Sequence, residues 1–361
     1  MPRLARGIVA HDIKGYTLQL NSERSKEYTD SQAQLRRRAY RLAHPTEIII
    51  DKCMDGRLNL SVFTQVPRGI LQPFRNVGGK FDLGWPLFQE VMKDCVEFAQ
   101  NQKRPCIVIT SYHFSKGSHD RGCAGFGYDT ESARHAAFAL RDQYTRVFGV
   151  LNNNPVYALT IGIETDFESL IFHGNGGEVL NVAELAPDVP SQELDQLLAN
   201  LYPDLRIDMR RDLLPLVEGN LRHIAEVRAE QKPLIDHEHR EQIIAVGRGF
   251  DWLHEPNRAL IIGPYSHEWP EAVHTAGTIV LDNLRKGRVP EESGVLLLIS
   301  SLWRREEGEV GRRLKEEKTR YVARTALEKL QAMPELHRHL EVVIGVVHAD
   351  TRKLHELDPR G

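Results

Sequence analysis

Cys53, Asp55 and Arg57 stand at alternate positions in EIIIDKCMDGR (residues 47–57), so in an extended segment all three side chains point the same way. One face would then carry a soft metal ligand, a carboxylate and a guanidinium. Two more ligand types follow: His113, where the run PCIVITSYH (105–113) ends, and Cys123 in the loop beyond it. Two cysteines and a histidine leave a tetrahedral zinc one open position for water, the pattern of a catalytic centre and not of a closed structural one. Zinc lowers the pKa of its water from ~15.7 toward ~7, and the charge of two thiolates weakens that effect. Asp55 would orient the resulting hydroxide by accepting its hydrogen bond. Arg57 would keep Asp55 ionised, and off the metal, by bidentate pairing. His119 is a rival ligand, but it sits mid-loop, and a strand end fixes a ligand better than a loop does, so His113 is preferred.

Composition bounds the rest. The chain has 361 residues, 41% hydrophobic and 27% charged, which is ordinary for a soluble protein and long enough for two domains. A net charge of −3 with interspersed signs gives no broad basic field, so nucleic acid is not indicated as a partner, and Arg36-Arg37-Arg38 reads as a solvated helix face. No apolar run approaches a membrane span, and residues 1–20 lack the apolar core of a signal peptide, so the expected location is the cytoplasm. Four cysteines in so long a chain make no disulfide framework.

The positioning elements read as an α/β pattern. Ile48-Ile49-Ile50 predicts a short buried strand, and in a parallel sheet the strand exit is where ligands bind. Residues 1–30 read as polar and irregular, 30–42 as a helix capped by Asp30, and 66–86 as a Gly/Pro-rich loop. Its Gly78-Gly79-Lys80 lacks the full phosphate-loop pattern. Helices are predicted over 85–102, which puts Cys95 among apolar positions as core, and over 130–148. Cys106 lies inside an apolar strand run, and VYALTIGI (156–163) is a third strand leading to Glu164 and Asp166, which read as turn caps. Asp188 to Glu218 is helical in pattern. Residues 231–240 read as a linker whose Asp236-His237-Glu238-His239 is taken as solvated surface.

The second half replays the first. RALIIGPY (258–265) is matched to the first strand, GVLLLISSLW (294–303) to the second and EVVIGVVHAD (341–350) to the third. On that overlay Tyr265 takes the place of Cys53 and Leu302 that of His113. No cysteine occurs beyond residue 123, so the second copy cannot hold the same metal.

Cys-x-Asp-x-Arg after a strand, then a strand-end His and a following Cys, resembles the β-carbonic anhydrase zinc site with its Asp–Arg dyad. Ordinary members have His-x-x-Cys, whereas nine residues separate His113 from Cys123 here. That spacing, with GGKFDLGWP (78–86), GCAGFGYD (122–129), IGIETD (161–166) and a degenerate second half, is similar to the carboxysome-shell carbonic anhydrases over about residues 30–361. That family usually carries a further N-terminal helical domain and a Rubisco-contacting leader, and only residues 1–29 precede the matching region.

The resemblance implies a β-carbonic anhydrase-like catalytic domain over 1–235 and a degenerate, metal-free repeat over 236–361 that serves as its structural partner. It implies one zinc per chain on Cys53, His113 and Cys123, Asp55 and Arg57 as catalytic residues, and reversible hydration of CO2 to bicarbonate by zinc-bound hydroxide. It further implies a homodimer or higher oligomer, the carboxysome shell or Rubisco as partner, and residence inside a carboxysome. Two other readings stay open: a non-catalytic zinc scaffold or shell-binding protein, and a zinc hydrolase acting on another small electrophile. The dyad discriminates, because a structural zinc needs none.

Overall fold

All seven residues of β1 (Glu47–Cys53) are buried, the mark of a central strand covered on both faces. The computed structural model in which this is seen describes residues 12–149, 155–230, 238–253 and 255–358. The chain divides into two compact units, the first formed by residues 31–238 with 265–267 and the second by 1–30, 239–264 and 268–361. Each is an α/β unit built on a mixed sheet.

In the first unit the helix α2 (Ser31–Ala43) precedes β1, and a helical turn, α3 (Leu60–Phe63), follows it. Then come β2 (Leu71–Asn76), α4 (Pro86–Asn101), β3 (Cys106–Phe114), α5 (Thr130–Phe148), β4 (Val156–Glu164), β5 (Ser169–His173), β6 (Val179–Asn181), α6 (Ser191–Leu201) and α7 (Ile207–Glu230). The strands order as β2-β1-β3-β4-β5-β6. The first four are parallel and the last two antiparallel. Ile49, Phe74, Phe88, Met92, Val108 and Tyr144 join α4 and α5 to the sheet in one apolar core. Tyr265 belongs to that core, tilted against Phe74, Phe81 and Phe88. In α2, Arg36 and Arg38 are exposed as a solvated face requires, but Arg37 is buried.

The second unit starts with α1 (Ile13–Thr29) and continues with β7 (Ile243–Gly247), β8 (Ala259–Ile262), α8 (Trp269–Arg285), β9 (Val295–Trp303), α9 (Gly308–Gln331), α10 (Pro334–His337), β10 (Leu340–His348) and β11 (Leu354–Glu356). Its order, β8-β7-β9-β10-β11, repeats that of β2-β1-β3-β4-β5. Again the first four strands are parallel and the last is antiparallel.

Several expectations change here. Residues 13–29 are a helix, not irregular chain: Asp12 caps it by accepting from the Gly15 amide, and Ile13 and Leu20 enter the core around Leu298 and Val347. The rest of its buried face is Thr17, Asn21 and Ser25, so no apolar periodicity announces it. Asn21 donates to the Arg352 carbonyl and accepts from the Leu354 amide, which ties α1 to β11. The boundary of the units therefore differs from a division at 235/236, because α1 packs with the second sheet.

Part of the expected 66–86 loop is the edge strand β2, whose Gln72, Pro73 and Arg75 hide its strand character. The internal match is also shifted by one strand. RALIIGPY contains β8, the counterpart of β2, while β1 corresponds to β7, just after the charged stretch 231–240. Ile48 pairs with Ile107 and Ile243 with Leu296, each partner being the second residue of its strand. Five residues on, Cys53 therefore corresponds to Arg248, not to Tyr265. Leu302, eighth in β9 as His113 is in β3, keeps the place expected for it.

Candidate metal centre

The chain leaves β1 toward β2 on one side and leaves β3 toward β4 on the other, so the gap between β1 and β3 is the switch point of the sheet. Backbone loops diverge at that point and leave a crevice at the carboxyl ends of the strands. Cys53 ends β1 and His113 lies one residue before the end of β3, so both side chains are delivered there by rigid backbone. Cys123, in the following loop, completes the cluster: the Cys53, His113 and Cys123 ligand atoms all lie within 4.8 Å of one another, and all three residues are buried. His119 stays outside, exposed, with its ring 6.1 Å from that of Tyr128.

Two close backbone approaches bring Cys123 to the sheet. Gly78 and Gly79 adopt φ of +67° and +65°, a left-handed turn that favours glycine. A Cβ on Gly125 would lie 2.5 Å from the Gly78 Cα, and one on Gly79 would lie 3.2 Å from the Cys53 amide nitrogen. The Gly-Gly pair thus serves to seat the Cys123 loop beside β1, not to cradle a phosphate. Lys80, over the Phe126 ring at 4.5 Å, spans the same junction.

The far side of the loop is fastened by the acids that end β4. Glu164 accepts from the amides of Asp166, Phe167 and Lys116, and so caps the β4–β5 turn as expected. Asp166 does more: it accepts from the Ser115 hydroxyl and the Gly117 amide, and faces Arg121 Nη1 at 3.7 Å.

Asp55 and Arg57 form the expected pair. Arg57 donates Nη2 to Asp55 Oδ2 at 2.6 Å and Nε to Oδ1 at 3.0 Å, and its amide donates to Oδ1 at 2.8 Å. The same Nη2 reaches the Arg121 carbonyl at 2.9 Å, which couples the dyad to the Cys123 loop. Asp55 Oδ2 lies 3.9 Å from His113 Nε2, so the carboxylate stands beside the ligand cluster.

Sequence reading missed two buried cations next to this pair, Lys52 and Arg75. Their signal was a basic residue in each of two otherwise buried strand ends, EIIIDKC and LQPFRN. Burial pushes the Lys52 ammonium well below its usual range and lowers Arg75 to about 10.

The donor set fits zinc. Cys53 Sγ and Cys123 Sγ are 3.9 Å apart, too far for a disulfide at ~2.05 Å and close to the ~3.8 Å that two ~2.3 Å zinc–sulfur bonds subtend at a tetrahedral angle. Hydrogen bonding to Cys123, then burial, pushes the Cys53 thiol well up, while the hydrogen bond from Cys53 and the Gly125 and Phe126 amides lower Cys123. Among the described residues neither buried ring nitrogen of His113 has a hydrogen-bond partner, a cost that a metal–nitrogen bond would remove for one of them.

The other two cysteines stand apart from this cluster. Cys106 is buried in the α4/α5 core and Cys95 packs partly buried against it. Cys106→Ser should cost ~1–3 kcal/mol by burying a hydroxyl in an apolar strand, read as a lower Tm, with bound zinc unchanged. Zinc loss from that variant would contradict its assignment to the core.

Asp236 and His237 lie outside the described residues. His239 is partly buried and its Nδ1 lies 3.0 Å from the buried Glu241 carboxylate, so it is not the solvated residue expected. In the second unit, Arg248 and Leu302 occupy the positions of Cys53 and His113, and neither side chain offers a zinc ligand. No described helix is long and apolar enough to cross a membrane. No protein-family model matches the chain, and no curated protein matches it.

Proposed function

We propose that this protein is a zinc-dependent carbonic anhydrase of the β type, hydrating CO2 reversibly to bicarbonate and a proton. The observation that carries the reading is the convergence of Cys53, His113 and Cys123 at the sheet's switch point, beside a carboxylate held by Arg57. Those three residues would hold the metal, and zinc there would supply the Lewis acidity that makes water nucleophilic near neutral pH.

The chain's own residues set the geometry. Asp55, kept ionised by Arg57, acts as a hydrogen-bond acceptor for the attacking water, which turns an oxygen lone pair toward the CO2 carbon. The new C–O bond forms as one C=O π pair moves to oxygen, giving bicarbonate, and the displaced proton leaves to solvent. Arg57 also keeps Asp55 from becoming a fourth ligand, because both carboxylate oxygens are engaged by its guanidinium. The Arg121 carbonyl fixes the guanidinium in turn. Burial of all five residues limits bulk water at the site.

The likeness of the two sheets supports a second element of the proposal, that the second unit is a degenerate, metal-free copy of the β-type fold. The family resemblance adds a homodimer or higher oligomer, and residence in a carboxysome with its shell or Rubisco as partner. Stopped-flow CO2 hydration on metal-analysed protein tests the function. Zinc without activity would favour the scaffold reading, and esterase-type turnover without CO2 hydration would favour the hydrolase.

A further inference from the structure

Three buried basic side chains, Lys52, Arg57 and Arg75, stand near Asp55 at the exit of β1, and Arg57 pairs with its carboxylate. Taking a charge out of water costs several kcal/mol unless it is well compensated, so the other two call for a reason. Lys52 and Arg75 are 2% and 7% exposed. Both donate to main-chain carbonyls of the turn that carries the dyad. Lys52 Nζ reaches the Leu58 carbonyl at 2.7 Å. Arg75 opens its fork across the turn, Nη2 to the Leu58 carbonyl at 3.1 Å and Nη1 to the Asp55 carbonyl at 3.4 Å. The Leu58 amide closes the turn on that same Asp55 carbonyl at 3.2 Å. Arg75 therefore grips both ends of Asp55–Leu58.

We propose that Arg75, aided by Lys52, is a positioning residue for the Asp55–Arg57 pair, fixing the turn so that the Asp55 carboxylate stands beside the metal ligands without joining them. This rests on the functional reading above. A neutral amide could satisfy the same carbonyls at a smaller desolvation cost. The guanidinium adds a planar two-pronged grip from the neighbouring strand β2.

The test uses the full-length protein with Co2+ in place of Zn2+, which reports its ligands through visible absorption. Arg75→Met should retain about one cobalt per chain, change the absorption spectrum as Asp55 reaches the metal, and lower kcat for CO2 by ~10–100-fold, the range for lost outer-shell partners. KM should change little. Arg75→Lys, keeping the charge and one carbonyl, should recover part of kcat. The double variant Asp55→Asn/Arg75→Met should look like Asp55→Asn alone, because no carboxylate is left to swing. If Arg75→Met does not fold, Lys52→Met is read in the same way with a smaller shift.

A lower Tm with an unchanged cobalt spectrum and kcat would overturn the proposal and leave Arg75 a structural residue only. If the unmodified protein takes up no cobalt or hydrates no CO2, the functional reading fails and this role falls with it.

Discussion

Asp55→Asn is expected to lower CO2 hydration by roughly 10²–10³-fold while zinc stays near one per chain. The three proposed ligands, Cys53, His113 and Cys123, are untouched by the change, so the metal should remain. What is lost is the ionised acceptor: an amide presents one oxygen and one NH2, and Arg57 would compete with the attacking water for that oxygen. Zinc content and kcat, measured on the same sample, separate the roles. Loss of zinc in proportion to activity would make Asp55 a ligand and contradict its assignment.

His113→Ala should remove tightly bound zinc altogether, an effect larger than the ~10–100-fold typical of an outer-shell substitution. Two thiolates remain in that variant, but the fixed nitrogen from β3 is gone, and no other His, Cys, Asp or Glu belongs to this cluster among the described residues. His119→Ala should leave zinc at its original level, since that ring is exposed and turned toward Tyr128. Metal analysis after dialysis against a weak chelator reads both. The reverse pattern would place the ligand in the loop.

The strands that deliver the ligands were legible because they are buried on both faces. EIII, PCIVIT and ALTIGI are continuous apolar runs, and β1, β3 and β4 follow them closely. Elements that depend on polar burial were not. The inward face of α1 is largely Thr17, Asn21 and Ser25, which carry no hydrophobic signal, and β2 is an edge strand bearing Pro73.

The duplication was legible but one strand out of phase. RALII looks like a first strand, while β7 follows a charged stretch and ends in Gly247. At the site the ligand types could be read directly, but Cys53, Asp55 and Arg57 do not lie along one extended segment: β1 ends at Cys53, and Asp55 to Leu58 form a turn. What could not be read is contact across the fold, such as Gly125 on Gly78, Arg57 on the Arg121 carbonyl, and Arg75 on the dyad turn. These join residues 20 to 64 positions apart, and only the folded sheet defines them.

The most direct measurement of the central claim is stopped-flow CO2 hydration on unmodified protein whose zinc has been quantified, before and after removal of the metal by a chelator and its return. The account predicts about one zinc per chain, not two, because Arg248 and Leu302 cannot ligate it. It also predicts CO2 hydration far above the uncatalysed rate that disappears and reappears with that zinc. A stoichiometric zinc with no CO2 hydration, or hydration indifferent to its removal, would contradict it.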